Sequence, residues 1–116
     1  MNRPNAILVC DHDPLFRTAL QNFLLAAGYS SVEVAVTIRV ALSLLCRNVY
    51  GHILIGVSRT FVRERRLAAV ARRRQPKARI LFLASGDDRL MMKNAPFEWV
   101  LKEQAFSTLL ALMQHH

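Results

Sequence analysis

His52-Ile-Leu-Ile-Gly56-Val57 is a continuous apolar run followed by a polar stretch. Its length and composition fit a strand buried on both faces, as in a parallel sheet. Upstream, Thr37 caps a helix carrying Val40, Ala41, Leu44 and Leu45, and Val32–Val36 reads as a strand. Before that strand, Asp13 and Pro14 supply an N-cap and a first helical residue. Leu15, Phe16, Ala19, Leu20, Phe23, Leu24 and Ala27 then recur at helical spacing up to a stop at Gly28. Ala6-Ile-Leu-Val-Cys10 is the first strand. Downstream, a helix over Val62–Arg74 ends before Pro76, and Arg79–Ala84 is a strand. A short helix over 87–94, capped by Ser85 or Asp87, leads to a strand at Phe97–Leu101 and an amphipathic helix at Ala105–Met113. Five strands alternating with helices predict an α/β fold, a doubly wound five-stranded parallel sheet with helices on both faces.

The chain has 116 residues, which suits one domain over 1–116 with one core. Hydrophobic residues make up 53 %, far more than a disordered chain carries. No apolar run approaches the roughly 20 residues that span a bilayer. No charged and apolar leader stands at the start, so a cytoplasmic protein is expected. Cys10 and Cys46 lie in apolar segments and read as two buried, reduced thiols. His115 and His116 are either native or the remnant of a tag.

The net charge is +8, and its distribution is uneven. Residues 59–79 hold nine cations against one acid, Glu64, while the rest of the chain balances. Arg63, Arg65, Arg66, Arg72, Arg73 and Arg74 belong to the third helix, where Arg65 and Arg72, like Arg66 and Arg73, share a face. Leu67, Val70 and Ala71 form the apolar stripe opposite. Such a face is either simply solvated or a surface for anions and acidic partners.

Ligands and reactive groups of open α/β sheets gather beyond the carboxyl ends of the strands. Here those ends read Cys10-Asp11-His12-Asp13, Gly56, Ala84-Ser85 and Leu101-Lys102. This set, with Asp13-Pro14-Leu15-Phe16-Arg17, Tyr50, the Ile-Leu-Ile core of the third strand and Trp99 three residues before Lys102, resembles the CheY-like receiver domain of bacterial response regulators. The resemblance runs over nearly the whole chain and implies the flavodoxin-like receiver fold. In such receivers two acids after the first strand hold Mg²⁺, and an aspartate ending the third accepts a phosphoryl group from a histidine kinase. A Ser or Thr ending the fourth strand and a Lys ending the fifth contact the phosphate. The chemistry needs hard oxygens for the cation, a carboxylate nucleophile and charge compensation.

Most of those positions are altered here. Asp11 matches the first acid, but His12 stands at the second, and neutral imidazole is a poor Mg²⁺ ligand. Gly56 replaces the phosphoacceptor and Ala84 the hydroxyl, with Ser85 adjacent. Lys102 is kept, followed by Glu103 where the family usually has proline. The stretch from Ala84 to Lys102 is about one turn short, so the fourth helix should be stunted. The resemblance therefore implies a pseudo-receiver. It would be a regulatory module of a two-component phosphorelay that does not depend on phosphorylation, is not an enzyme, and has no cofactor or metal. It would act through protein partners or a homodimer and not at a membrane, and it could be the input module of a longer transcriptional regulator. The alternative is a basic adaptor that binds nucleic acid or an acidic partner through the third helix.

Individual residues admit plainer readings. Asp13 is better explained as a helix cap than as a ligand. His12 is a solvated loop histidine or half of a pH-sensitive pair with Asp11. Lys102, lacking a phosphate, pairs with Asp11 across the pocket or stands solvated at a strand end. Trp99 is the family's switch aromatic by position and sheet packing by residue type. Met91 and Met92 are half-buried or form a partner surface.

Overall fold

Five strands, β1 (Ala6–Cys10), β2 (Ser31–Ala35), β3 (His52–Gly56), β4 (Arg79–Ala84) and β5 (Trp99–Leu101), form one parallel sheet in the order β2-β1-β3-β4-β5. They come from a computed structural model that describes residues 6–58, 61–93 and 95–114. His115, His116 and Arg59 lie outside the described residues. The central strands are the continuous apolar runs: Ile7, Leu8 and Val9 of β1 and Ile53, Leu54 and Ile55 of β3 are completely buried. Strand order reverses between these two, which places the switch point of the sheet there.

Successive side chains leave a strand on opposite faces, and two cores follow. Leu8, Cys10, Ile53, Ile55 and Phe82 face the layer of α2 (Ile38–Arg47), α3 (Val62–Arg74) and α4 (Arg89–Lys93). Ile7, Val9, Leu54, Leu81 and Leu83 face α1 (Pro14–Ala26) and α5 (Ala105–Gln114). Asp13 caps α1 as expected, accepting from the amides of Leu15 and Phe16 at 3.0 and 3.3 Å. Gly28 ends that helix with φ at 104°, a left-handed conformation that glycine adopts without strain. Phe61 begins α3 in the same region, with φ at 57°, where a Cβ is unfavourable. Its buried ring is held edge-on against Phe82 at 4.9 Å and Phe97 at 6.0 Å, which offsets that cost.

Several expectations change. β2 begins one residue earlier than Val32, and β3 ends at Gly56 rather than Val57. β5 begins at Trp99 because Phe97 turns into the aromatic cluster with Phe61 and Phe82. The fourth helix is stunted, a 3₁₀ turn at Gly86–Asp88 followed by the five residues of α4. Met92 is fully buried and so belongs to the core, while Met91 is half-buried against it. Cys46 is exposed, not buried. It follows the buried Leu45 by one residue, a 100° turn away from the core. Val40 is exposed as well.

Candidate functional site: the carboxyl end of the sheet

Cys10 pairs with Ile55 across β1 and β3, so the next residues, Asp11 and Gly56, meet at the switch point. The Asp11 side chain is fully buried. Its Oδ1 accepts from the Asp13 amide at 2.9 Å, and Lys102 Nζ lies 3.2 Å from Oδ1 and 2.9 Å from Oδ2. The Asp11 carbonyl accepts from Arg17 at 2.8 Å. Lys102 itself is largely covered, with its ammonium 4.9 Å from the centre of the Phe16 ring. Of the two readings open for Lys102, the pair with Asp11 across the pocket is the one that forms, with the carboxylate shielded from water.

That carboxylate fills the space of the missing side chain. A Cβ at Gly56 would stand 2.3 Å from Asp11 Oδ2 and 2.6 Å from its carboxyl carbon. Side-chain atoms do not approach so closely, so Gly56 is the residue that lets Asp11 fold over the end of β3 and reach Lys102. His12 remains outside: its ring is 68 % exposed and its Nδ1 is 3.7 Å from Asp11 Oδ1, beyond a hydrogen bond. It stands in solvent, within ion-pair distance of Asp11 when protonated.

Mg²⁺ requires a near-octahedral shell of oxygens. Asp11 is already engaged by Lys102 and an amide, Asp13 caps α1, and residue 56 has no side chain. Among the described residues no group of three or more His, Cys, Asp or Glu side chains is placed to hold a metal. The residues present do not fit the ion.

Ser58 and Ser85, the serines near the pocket among the described residues, are also committed. Ala84 is buried and has none. Ser85 donates to Asp88 Oδ2 at 2.9 Å, closing the start of the 3₁₀ turn. Ser58, after β3, donates through its hydroxyl and its amide to Glu64 Oε1 at 2.7 and 3.2 Å. Glu64 is the feature sequence reading missed. On a helix full of arginines it looks like one more surface charge, but it is buried and points inward to hold the loop after β3. Glu103, just after β5, accepts from the Gly86 amide at 3.3 Å and ties the β5 end to the β4 end. Burial, with the nearby charges of Asp11 and Glu64, pushes the Cys10 thiol up to about 12. Two cavities open here: one of about 470 Å³ lined by His12, Ser58, Ser85, Asp87, Asp88 and Lys102, and one of about 280 Å³ that reaches Asp11, Gly56 and Glu64.

Arg63, Arg65, Arg66, Arg72, Arg73 and Arg74 are all exposed on α3, opposite the buried Glu64, Leu67, Ala68 and Ala71; Val70 is half-buried. Trp99 is half-buried, packed on the core from the edge strand. It also borders a cavity of about 520 Å³ between α4 and α5, beside Arg89, Leu90, Lys93 and Leu112.

The sequence matches no protein-family model. No curated protein is similar to it in sequence. Solved structures are similar in three dimensions. An adenylate cyclase from Rhodopirellula baltica aligns with a TM-score of 0.79 and 18 % identity over 97 % of this chain and 85 % of that one. The response regulator TrrA from Thermotoga maritima, in complex with Mg²⁺–BeF, aligns at 0.76 and 24 % identity over 98 % and 97 % of the two chains. The chemotaxis response regulator CheY4 of Vibrio cholerae aligns at 0.76 and 22 % identity over 98 % of each. The chain therefore has the flavodoxin-like fold of CheY-like receivers. One fold hosts many activities, so the reading of this chain must come from its own site.

Proposed function

We propose that this chain is a pseudo-receiver, a phosphorylation-independent signalling domain of an atypical response regulator in a two-component system. The observation that supports the reading is the Asp11 carboxylate lying where residue 56 would carry its side chain, neutralised by Lys102. A receiver accepts phosphate on a carboxylate at that strand end and stabilises it with a cation and a lysine. Here no carboxylate is attached there, the oxygens for Mg²⁺ are committed, and the lysine already has its anion. The domain has no catalytic residue and needs no cofactor; it works in the cytoplasm by binding other proteins or a second copy of itself. The α4–β5–α5 side offers the surface, with the half-buried Trp99 beside the exposed Leu90. Joined to a DNA-binding output domain, it would be the input module of a transcriptional regulator.

The test is intact-mass spectrometry after incubation with acetyl phosphate and Mg²⁺. No adduct is expected on the parent chain. Gly56→Asp is expected to remain unphosphorylated too, because its side chain enters the volume of Asp11 beside a lysine already paired. A phosphoryl adduct on Asp11 or Asp13 of the parent, or efficient phosphorylation of Gly56→Asp, overturns the reading.

A further inference from the structure

We propose that the outer face of α2 and α3 docks on the phosphate backbone of a nucleic-acid duplex. Between residues 36 and 78 the chain carries ten cations and one acid, and that acid, Glu64, is turned inward on Ser58. The outward charges of this segment are therefore all positive. Arg39 and Arg47 are exposed on α2, which lies beside α3 in the same layer. Arg66 and Arg73 lie on the side of α3 opposite its buried stripe, seven residues and about 10 Å of helix apart. No carboxylate is within ion-pair distance of any of these four among the described residues.

The chemistry of the surface separates nucleic acid from an acidic protein. Protein interfaces concentrate their affinity in buried apolar and aromatic anchors at the centre, where charges are depleted. The exposed large apolar side chains of α2 and α3 are two valines, Val40 and Val62, set singly among the arginines, and no aromatic ring is exposed there. The nearby aromatic rings lie beneath guanidinium groups, Phe61 under Arg65 and Phe97 under Arg72, each 5.9 Å away. The outward positions of α3 are arginine with Val62, Ala69 and Val70, and the helix presents no Asn or Gln for an adenine edge. An extended field of arginines without an exposed aromatic anchor suits a polyelectrolyte, where release of condensed counterions supplies the affinity and planar guanidinium groups meet phosphates. This surface is separate from the altered pocket, so the proposal stands whether or not the pocket is silent.

The experiment is fluorescence anisotropy of the full chain with a labelled 20-base-pair duplex of arbitrary sequence. Binding is expected at 50 mM salt and should weaken about a hundredfold by 200 mM, as for about four phosphate contacts. Arg66→Ala/Arg73→Ala should lower the salt slope by about two, whereas Arg89→Ala on α4 should leave it unchanged. Both variants replace exposed side chains, and circular dichroism checks that they fold. Absence of binding at 50 mM overturns the proposal, as does a slope indifferent to Arg66 and Arg73. Polyglutamate that binds while the duplex does not would assign the face to an acidic protein instead.

Discussion

Beyond the amino end of β3, Gln75 reaches back from the end of α3 and ties three backbone groups together. It accepts from the Tyr50 amide at 2.7 Å and donates to the carbonyls of Leu45 at 3.1 Å and Asn48 at 2.7 Å. Tyr50 adds a hydrogen bond from its hydroxyl to Glu33 at 3.0 Å. Beyond the carboxyl end of the same strand, the Asp11–Lys102 pair occupies the corresponding place. Both ends bury a polar side chain and both connect elements distant in sequence. The amino end does so with a neutral amide whose three partners are main chain. The carboxyl end does so with opposite charges at the edge of an open cavity. A neutral clasp satisfies what folding buries; the charged pair at the switch point fills the place of a side chain that residue 56 lacks.

The sharpest way to break this comparison is to remove one member at each end. Lys102→Met leaves Asp11 charged and buried, and should cost about 3 kcal/mol in urea unfolding. Adding Asp11→Ala should recover at least half of that loss, because the unpaired charge goes with it. Gln75→Ala should cost about 2 kcal/mol by stranding a buried amide and two carbonyls. No side-chain substitution can recover it, since those partners are backbone. If Lys102→Met proves neutral, the pair is a surface contact and the contrast between the ends disappears.

Gly56→Ala sharpens the same point with a smaller effect. The added methyl meets Asp11 Oδ2 at 2.3 Å, so the carboxylate must shift away from Lys102. The expected loss is about 1–2 kcal/mol in the parent and near zero in Asp11→Ala, where the space is empty. A loss of equal size in both backgrounds would mean that Gly56 is required by the backbone of β3 and not by Asp11.

The two ends also differ in how much of them the sequence shows. Strands β1 and β4 and helix α3 have the bounds that apolar runs and helix stops predict, because burial on both faces leaves period and length as sufficient signals. The carboxyl-end residues were recognisable because strand ends collect sites, and the Asp11–Lys102 pair was one of two open readings until the fold supplied the distance. Glu64 and Gln75 were not legible. Each satisfies backbone or hydroxyl groups in a loop whose position only tertiary packing fixes: Ser58 lies six residues before Glu64, and Leu45 thirty before Gln75. Cys46 was misjudged because its neighbours are apolar, although it falls just off the buried stripe of α2.

The cysteines give the mildest test, since one lies near each end. Only a thiolate is an effective nucleophile. Cys10 stands buried beside Asp11, where burial first and the neighbouring carboxylates second push its thiol up to about 12. Cys46 is exposed, near the loop that Gln75 ties. At pH 8 a disulfide reagent should therefore label one thiol per folded chain, with Cys46→Ser abolishing the reaction, and two thiols in denaturant. Because the Cys10 value is raised on folding, its contribution to stability is fully present below the ordinary thiol value of 9.0 and is lost as pH rises toward about 12. Tyr50, at the other end, shifts the same way, from 10.0 to about 12, chiefly by burial. Urea midpoints should accordingly fall between about pH 9 and 12. In a Tyr50→Phe variant the part of that fall above pH 10 should shrink, while the thiol's part remains. Equal labelling rates for both thiols at pH 8 would show that the carboxyl end opens readily to water, and that the Asp11–Lys102 pair does not seal it.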